Sequence, residues 1–242
     1  YGFFLCFMML EMSKKNSLPE VLDVLDRDIS ECRRCARLVK WRESVSLEKR
    51  ASYSDEEYWG RGVPGFGDPN AQVFVLGLAP AAHGANRTGR LFTGDRSGDW
   101  LYGALYRTKF ANQPFSHNRD DGLSLSDAWV SAAVRCAPPD NKPTVTERDR
   151  CLPYLRREMD ALKNLRVVVA LGAYAHDVIC REFSIRPKPS FGHAAEAILP
   201  GGVLLIDSYH PSQRNTFTGR LTEEAFDRVF FRAREALKEQ AR

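Results

Sequence analysis

The stretch QVFVLGLAPAAHGANRTGRLFTGD, Gln72 to Asp95, decides how this chain folds. Its first seven residues, Gln72 to Leu78, are an apolar, β-branched run of the kind found in parallel strands buried on both faces. The nineteen residues from Gly77 to Asp95 then read as a Gly-rich loop carrying His83, Asn86, Arg87, Arg90 and Asp95. A loop at the carboxyl end of such a strand is where open α/β sheets bind ligands. Its glycines let the backbone approach a ligand closely, and arginines among small residues point to an anionic partner.

Working outward, similar apolar runs recur at Ala128 to Val134, at Val167 to Gly172 and in VLLIDSYHPS, Val203 to Ser212. Helical patterns separate them. Leu18 to Ser30 places Val21, Leu22, Leu25 and Ile29 on one face, and a second pattern runs from Ser97 through Trp100, Leu101, Leu105 and Tyr106. Thr146-x-x-Asp149 resembles a capping box opening a helix that turns Leu152, Leu155, Met159 and Leu162 inward. Ala173 to Phe183 and Thr222 to Glu239 read as helices too, the last offering Phe226, Val229, Phe230 and Ala233 to the core. Gly60 to Asn70 and the polar stretch around Asn112 to Gly122 read as loops. The alternation predicts an α/β fold, a three-layer αβα sandwich around a mainly parallel sheet. Gly60-x-Gly62-x-x-Gly65 is not a dinucleotide fingerprint, because it precedes the strand and contains Pro64.

At 242 residues the chain suits one large domain. Residues 18–242 are assigned to it, and residues 1–17 are read as an extra segment outside the fold. Hydrophobic residues at 43% and charged residues at 27% exclude disordered and collagen-like classes. The net charge of +4 permits nucleic-acid binding without requiring it. No apolar run reaches the roughly 18 residues of a membrane span. The apolar start lacks the basic region and cleavage site of a signal peptide. A cytoplasmic monomer is the expectation.

Four of the six cysteines have informative spacing: Cys32-x-x-Cys35, then Cys136 and Cys151. Disulfides are disfavoured because nothing indicates secretion. Structural zinc usually takes two tight pairs, an iron–sulfur cluster tolerates wider spacing and fits better, and buried reduced thiols remain open. Cys6 and Cys180 read as ordinary thiols.

Three segments taken together, GLAPAAHGANRTGRLFTGD, VRCAPPDNKPT (Val134 to Thr144) and YHPSQRN (Tyr209 to Asn215), resemble the family-5, or type-b, uracil-DNA glycosylases. The resemblance runs from about Cys32 to the C-terminal helix. It implies a [4Fe-4S] cluster on Cys32, Cys35, Cys136 and Cys151, a substrate of DNA containing uracil or other deaminated bases, and initiation of base excision repair. Related family-4 enzymes have an acid where this chain has Leu78 and an asparagine where it has Ala132. Asparagine reads a base edge in a bidentate way, so Ala132 implies relaxed base selection, including hypoxanthine and xanthine.

The chemistry this implies is base flipping followed by hydrolysis of the N-glycosidic bond. Phe92 is placed against the base, with Gly77, Leu78, Ala79 and Ala132 beside it; otherwise Phe92 is core. His210 donates to the carbonyl oxygen that gains charge, and Asp95 balances the sugar or positions water. Without that role, Asp95 is the N-cap of the helix after it. Asn141 bonds the base or the water, or else stabilises its turn. Arg87, Arg90, Ser212, Arg214 and Asn215 are candidate phosphate donors. Neither the first motif loop nor YHPSQRN contains lysine, so no Schiff-base lyase step is expected. The competing readings are a non-catalytic iron–sulfur module that holds abasic or damaged DNA, and an electron-transfer protein.

Overall fold

The computed structural model describes residues 18–239. The expected extra segment, residues 1–17 with Cys6, lies outside them. Six strands form one sheet in the order β1-β3-β2-β4-β6-β5. They are β1 (Phe66–Gly67), β2 (Val73–Gly77), β3 (Ala128–Ala132), β4 (Val167–Leu171), β5 (Glu196–Ile198) and β6 (Leu204–Ser208). The four central strands are parallel and the two short edge strands antiparallel. Val75 pairs with Val130 on one side and Val169 on the other, so the strand read first from sequence is central.

Every residue of the four parallel strands is buried, and alternate side chains serve opposite faces. Val73, Val75, Val130, Val169 and Ile206 pack against α4 (Arg96–Arg107) and α8 (Glu223–Glu239), through Leu101, Tyr102, Phe226 and Phe230. Phe74, Leu76, Val168 and Leu205 pack against α1 (Leu18–Ser30), α5 (Val145–Ala161) and α6 (Ala173–Glu182), through Leu22, Leu155 and Ile179. This is the expected three-layer αβα sandwich. The chain leaves β2 through the short α3 (Ala85–Thr88) and α4 on one face and β4 through α6 on the other, and the short α7 (Gln213–Phe217) follows β6. The two crossovers diverge between β2 and β4, and such a switch point opens a crevice at the carboxyl ends of the strands.

Three details differ from expectation. The capping box of α5 is Thr144 with Glu147, which exchange hydrogen bonds of 3.2 and 2.8 Å, and not Thr146 with Asp149. Val21 is exposed on α1 while Leu22, Leu25 and Ile29 are buried, because the inward stripe is narrower than the apolar one. The segment after Cys35, for which the sequence pattern predicts no element, forms α2 (Ala36–Glu48), which has no long apolar stripe and buries Leu38, Val39, Arg42 and Val45. Among the described residues no helix is long and apolar enough to cross a membrane.

Candidate active site

A cleft of about 760 Å³ opens at this switch point. Its walls include Leu78, Ala79, Phe92 and Asp95 from the loop after β2, Asn141 from the loop after β3, and His210 and Ser212 from the loop after β6. The three segments singled out in the sequence therefore meet. Trp41 of α2 and Tyr53 also line the cleft, although no motif marked them. Phe92 and Asn141 have φ of +51° and +55°, and Asp140 beside them has +53°. Bulky residues rarely hold such backbone, and strain of this kind collects at functional sites.

Close packing sets both key side chains of the first loop. A Cβ on Gly77 would come within 2.6 Å of the Phe92 ring, and one on Gly84 within 2.3 Å of Asp95 Oδ2. Only glycine leaves room for either. Asp95 takes the N-cap position considered for it and also faces the cleft. Its carboxylate accepts the Gly98 amide at 3.1 Å as the N-cap of α4, and it also forms part of the cleft wall. Desolvation there pushes its pKa above the usual 3.8.

His210 sits after β6 with its carbonyl accepting Asn215 Nδ2 at 2.8 Å. Desolvation pulls the imidazole down to about 4, so it is neutral at physiological pH. Its ring stacks on Phe92 with centroids 6.0 Å apart and 30° between planes.

Several candidates lie elsewhere. Arg90 is buried: its guanidinium binds Asp121 and Ser116, each at 2.6 Å, and caps no exposed phosphate path. Arg87 is also buried, paired with Glu56, donating to the Gly94 carbonyl at 3.1 Å and stacked 3.9 Å from the Tyr53 ring. Both hold the loop from beneath, a role a buried, saturated guanidinium fills better than recognition of a mobile anion. Gly77 and Ala132 pair at the ends of β2 and β3, behind the cleft wall, and Ala132 belongs to the core. The side-chain amide of Asn215 is turned to His210, while Ser212 faces the cleft and Arg214 is exposed.

The four spaced cysteines converge. Cys35, Cys136 and Cys151 are buried in one cluster with Leu38, Val134 and Tyr154, and Cys32 and Ala79 pack against it. Arg42, wholly buried, donates to Cys136 Sγ at 2.9 Å and to the Cys32 carbonyl at 2.9 Å, and the Arg135 amide donates to Cys151 Sγ at 3.3 Å. Among the described residues no group of three or more His, Cys, Asp or Glu is arranged to hold a single metal ion. Four convergent thiols, two of them with N–H donors directed at the sulfur, suit the donor chemistry of an iron–sulfur cluster. Ala79 belongs to both the cleft wall and this cluster, and Asn86 Nδ2 donates to the Arg42 carbonyl at 3.2 Å. The cysteine layer thus supports the first loop from behind.

The family model described as the uracil DNA glycosylase superfamily matches residues 64–234. The chain is 51% identical over 209 residues to the type-5 uracil-DNA glycosylase of Mycobacterium bovis, covering 85% of this chain and 78% of that one. It is 49% identical over 217 residues to the Mycobacterium leprae protein of that name, covering 88% and 93%. With the Thermus thermophilus type-5 enzyme it shares 48% over 207 residues, covering 85% and 94%.

Proposed function

Because the chain belongs to the uracil DNA glycosylase superfamily, we propose that it is a DNA glycosylase that draws uracil out of the helix and hydrolyses its N-glycosidic bond. The observation that carries this reading is the meeting of Phe92, Asp95, Asn141 and His210 in one cleft with room for a nucleobase. The extrahelical base stacks on Phe92, which offsets part of the cost of unstacking. As the bond from C1′ to the base breaks, its electron pair passes to the base. Neutral His210 donates a hydrogen bond to the carbonyl oxygen where that charge gathers. Water adds to C1′, and Asp95 orients it and takes its proton. The departing base anion is protonated by solvent. The loops that carry Asp95 and His210 hold no lysine, and Lys142 beside Asn141 does not line the cleft, so the reaction stops at the abasic site.

Base selection is relaxed in this reading. Leu78 and Ala79 give the cleft an apolar wall, and with Ala at 132 no amide from β3 reads a pyrimidine edge. Hypoxanthine and xanthine are therefore substrates beside uracil, and the product enters base excision repair. Cys32, Cys35, Cys136 and Cys151 would hold a [4Fe-4S] cluster, which would tie the segment before α2 to the loop after β3 and to α5. Residues 18–242 act as one domain.

The test is direct. Purified protein is incubated with synthetic duplexes carrying uracil, hypoxanthine or xanthine, and free base and alkali-labile abasic sites are measured. Release of base with an intact strand supports the reading. Binding of abasic DNA without release of any base would instead favour a non-catalytic module.

A further inference from the structure

The loop 112–122, between α4 and β3, is fastened to the first motif loop beside the cleft wall at Gly94. Ser116 is buried, with its hydroxyl 2.6 Å from Thr93 Oγ1 and from Arg90 Nη2, and its carbonyl accepts the Gly94 amide at 3.3 Å. Asp121 closes the loop by accepting the His117 amide at 2.7 Å while it pairs with Arg90. With Ser116 turned inward, its neighbours Phe115 and His117 are both left outside. They stack on each other, centroids 5.0 Å apart and planes 16° from parallel, with Phe115 44% exposed.

On the same rim, Trp59 fixes its ring by donating to the Gly62 carbonyl at 2.9 Å. The guanidinium groups of Arg61 and Arg119, both exposed residues, lie 5.5 and 4.5 Å from that ring. An exposed aromatic platform beside guanidinium groups held by an indole is the combination that binds single-stranded nucleic acid: bases stack on the rings and phosphates take the charges.

We propose that this rim is a second DNA contact, in which Phe115 and His117 stack on an unpaired base flanking the one taken into the cleft, and Arg61 and Arg119 bind phosphates beside it. The inference rests on the glycosylase reading, and supplies the phosphate donors that buried Arg87 and Arg90 do not.

A single-stranded oligonucleotide carrying an uncleavable tetrahydrofuran abasic site flanked by 2-aminopurine reports the stacking. Binding of the wild type is expected to quench 2-aminopurine fluorescence. Phe115→Ala, with an unchanged melting temperature, should abolish the quench and weaken binding about tenfold, whereas Phe115→Trp should restore both. Arg61→Gln with Arg119→Gln should flatten the slope of log K against log salt by about 1 to 1.5. If Phe115→Ala binds and quenches like the wild type while wild type releases uracil from the matching uracil strand, the rim is overturned and the glycosylase reading stands. A wild type that neither binds the strand nor releases uracil overturns both.

Discussion

The ring of Phe92 stacks on the imidazole of His210, although one stands on the loop after β2 and the other on the loop after β6. A base entering the cleft meets both, one as a stacking surface and the other as a hydrogen-bond donor. Phe92→Ala should therefore reduce single-turnover excision of uracil about tenfold or more, while Phe92→Tyr retains most of it. Gly77→Ala should act through the same ring, because its Cβ would displace Phe92. Combined with Phe92→Ala it should cost little beyond Phe92→Ala alone. Additive losses would show that Gly77 matters for a different reason.

Asp95 carries opposed demands. As an N-cap it stabilises α4, yet its ionised carboxylate is desolvated in the cleft wall. Asparagine caps a helix as well as aspartate does and removes the charge. Asp95→Asn should melt at or above the wild-type temperature while excision falls by about a hundredfold or more. Asp95→Ala loses the cap too and should be less stable by about 1 kcal/mol. Thermal melts and single-turnover rates on the two variants separate the roles. An active Asp95→Asn protein would remove the carboxylate from the chemistry.

The pH profile follows from the same cleft. Asp95 works ionised, and its pKa is raised by desolvation, so activity should fall on acidification through a value above 3.8. His210 stays neutral until about pH 4, so no limb should arise from it near 6.5, the ordinary histidine value. Single-turnover rates between pH 4.5 and 9, about the range in which DNA remains paired, test both statements. The acid limb should vanish from the residual activity of Asp95→Asn.

The core of this fold was legible because the parallel strands are buried on both faces and so read as largely apolar runs. The edge strands β1 and β5 are too short and too exposed to leave such a trace. Helix α2 escaped because one of its four buried positions is held by Arg42, whose charge breaks the apolar pattern. The motif loops supplied residues that line the cleft wherever a side chain faces inward. They misled at Arg87 and Arg90, since a residue type records that a guanidinium is present and not which way it points. The carboxylates that pair with these two, Glu56 and Asp121, are distant in sequence and carry no local signal.

The pair Arg90 and Asp121 gives that correction a measurable consequence. Burial alone would push Asp121 up, but the Arg90 guanidinium and the His117 and Leu123 amides hold it down at about 2. A depressed carboxylate contributes stability that is fully present above its unfolded value of 3.8 and is lost as pH falls toward 2. At neutral pH, Arg90→Met removes one partner and strands a buried carboxylate, so urea unfolding should show a loss of about 3 to 5 kcal/mol. Adding Asp121→Asn should recover part of it. An exposed arginine that only met phosphates would lose no more than about 0.5 kcal/mol of stability on the same substitution. A small loss for Arg90→Met would return it to the DNA-binding surface.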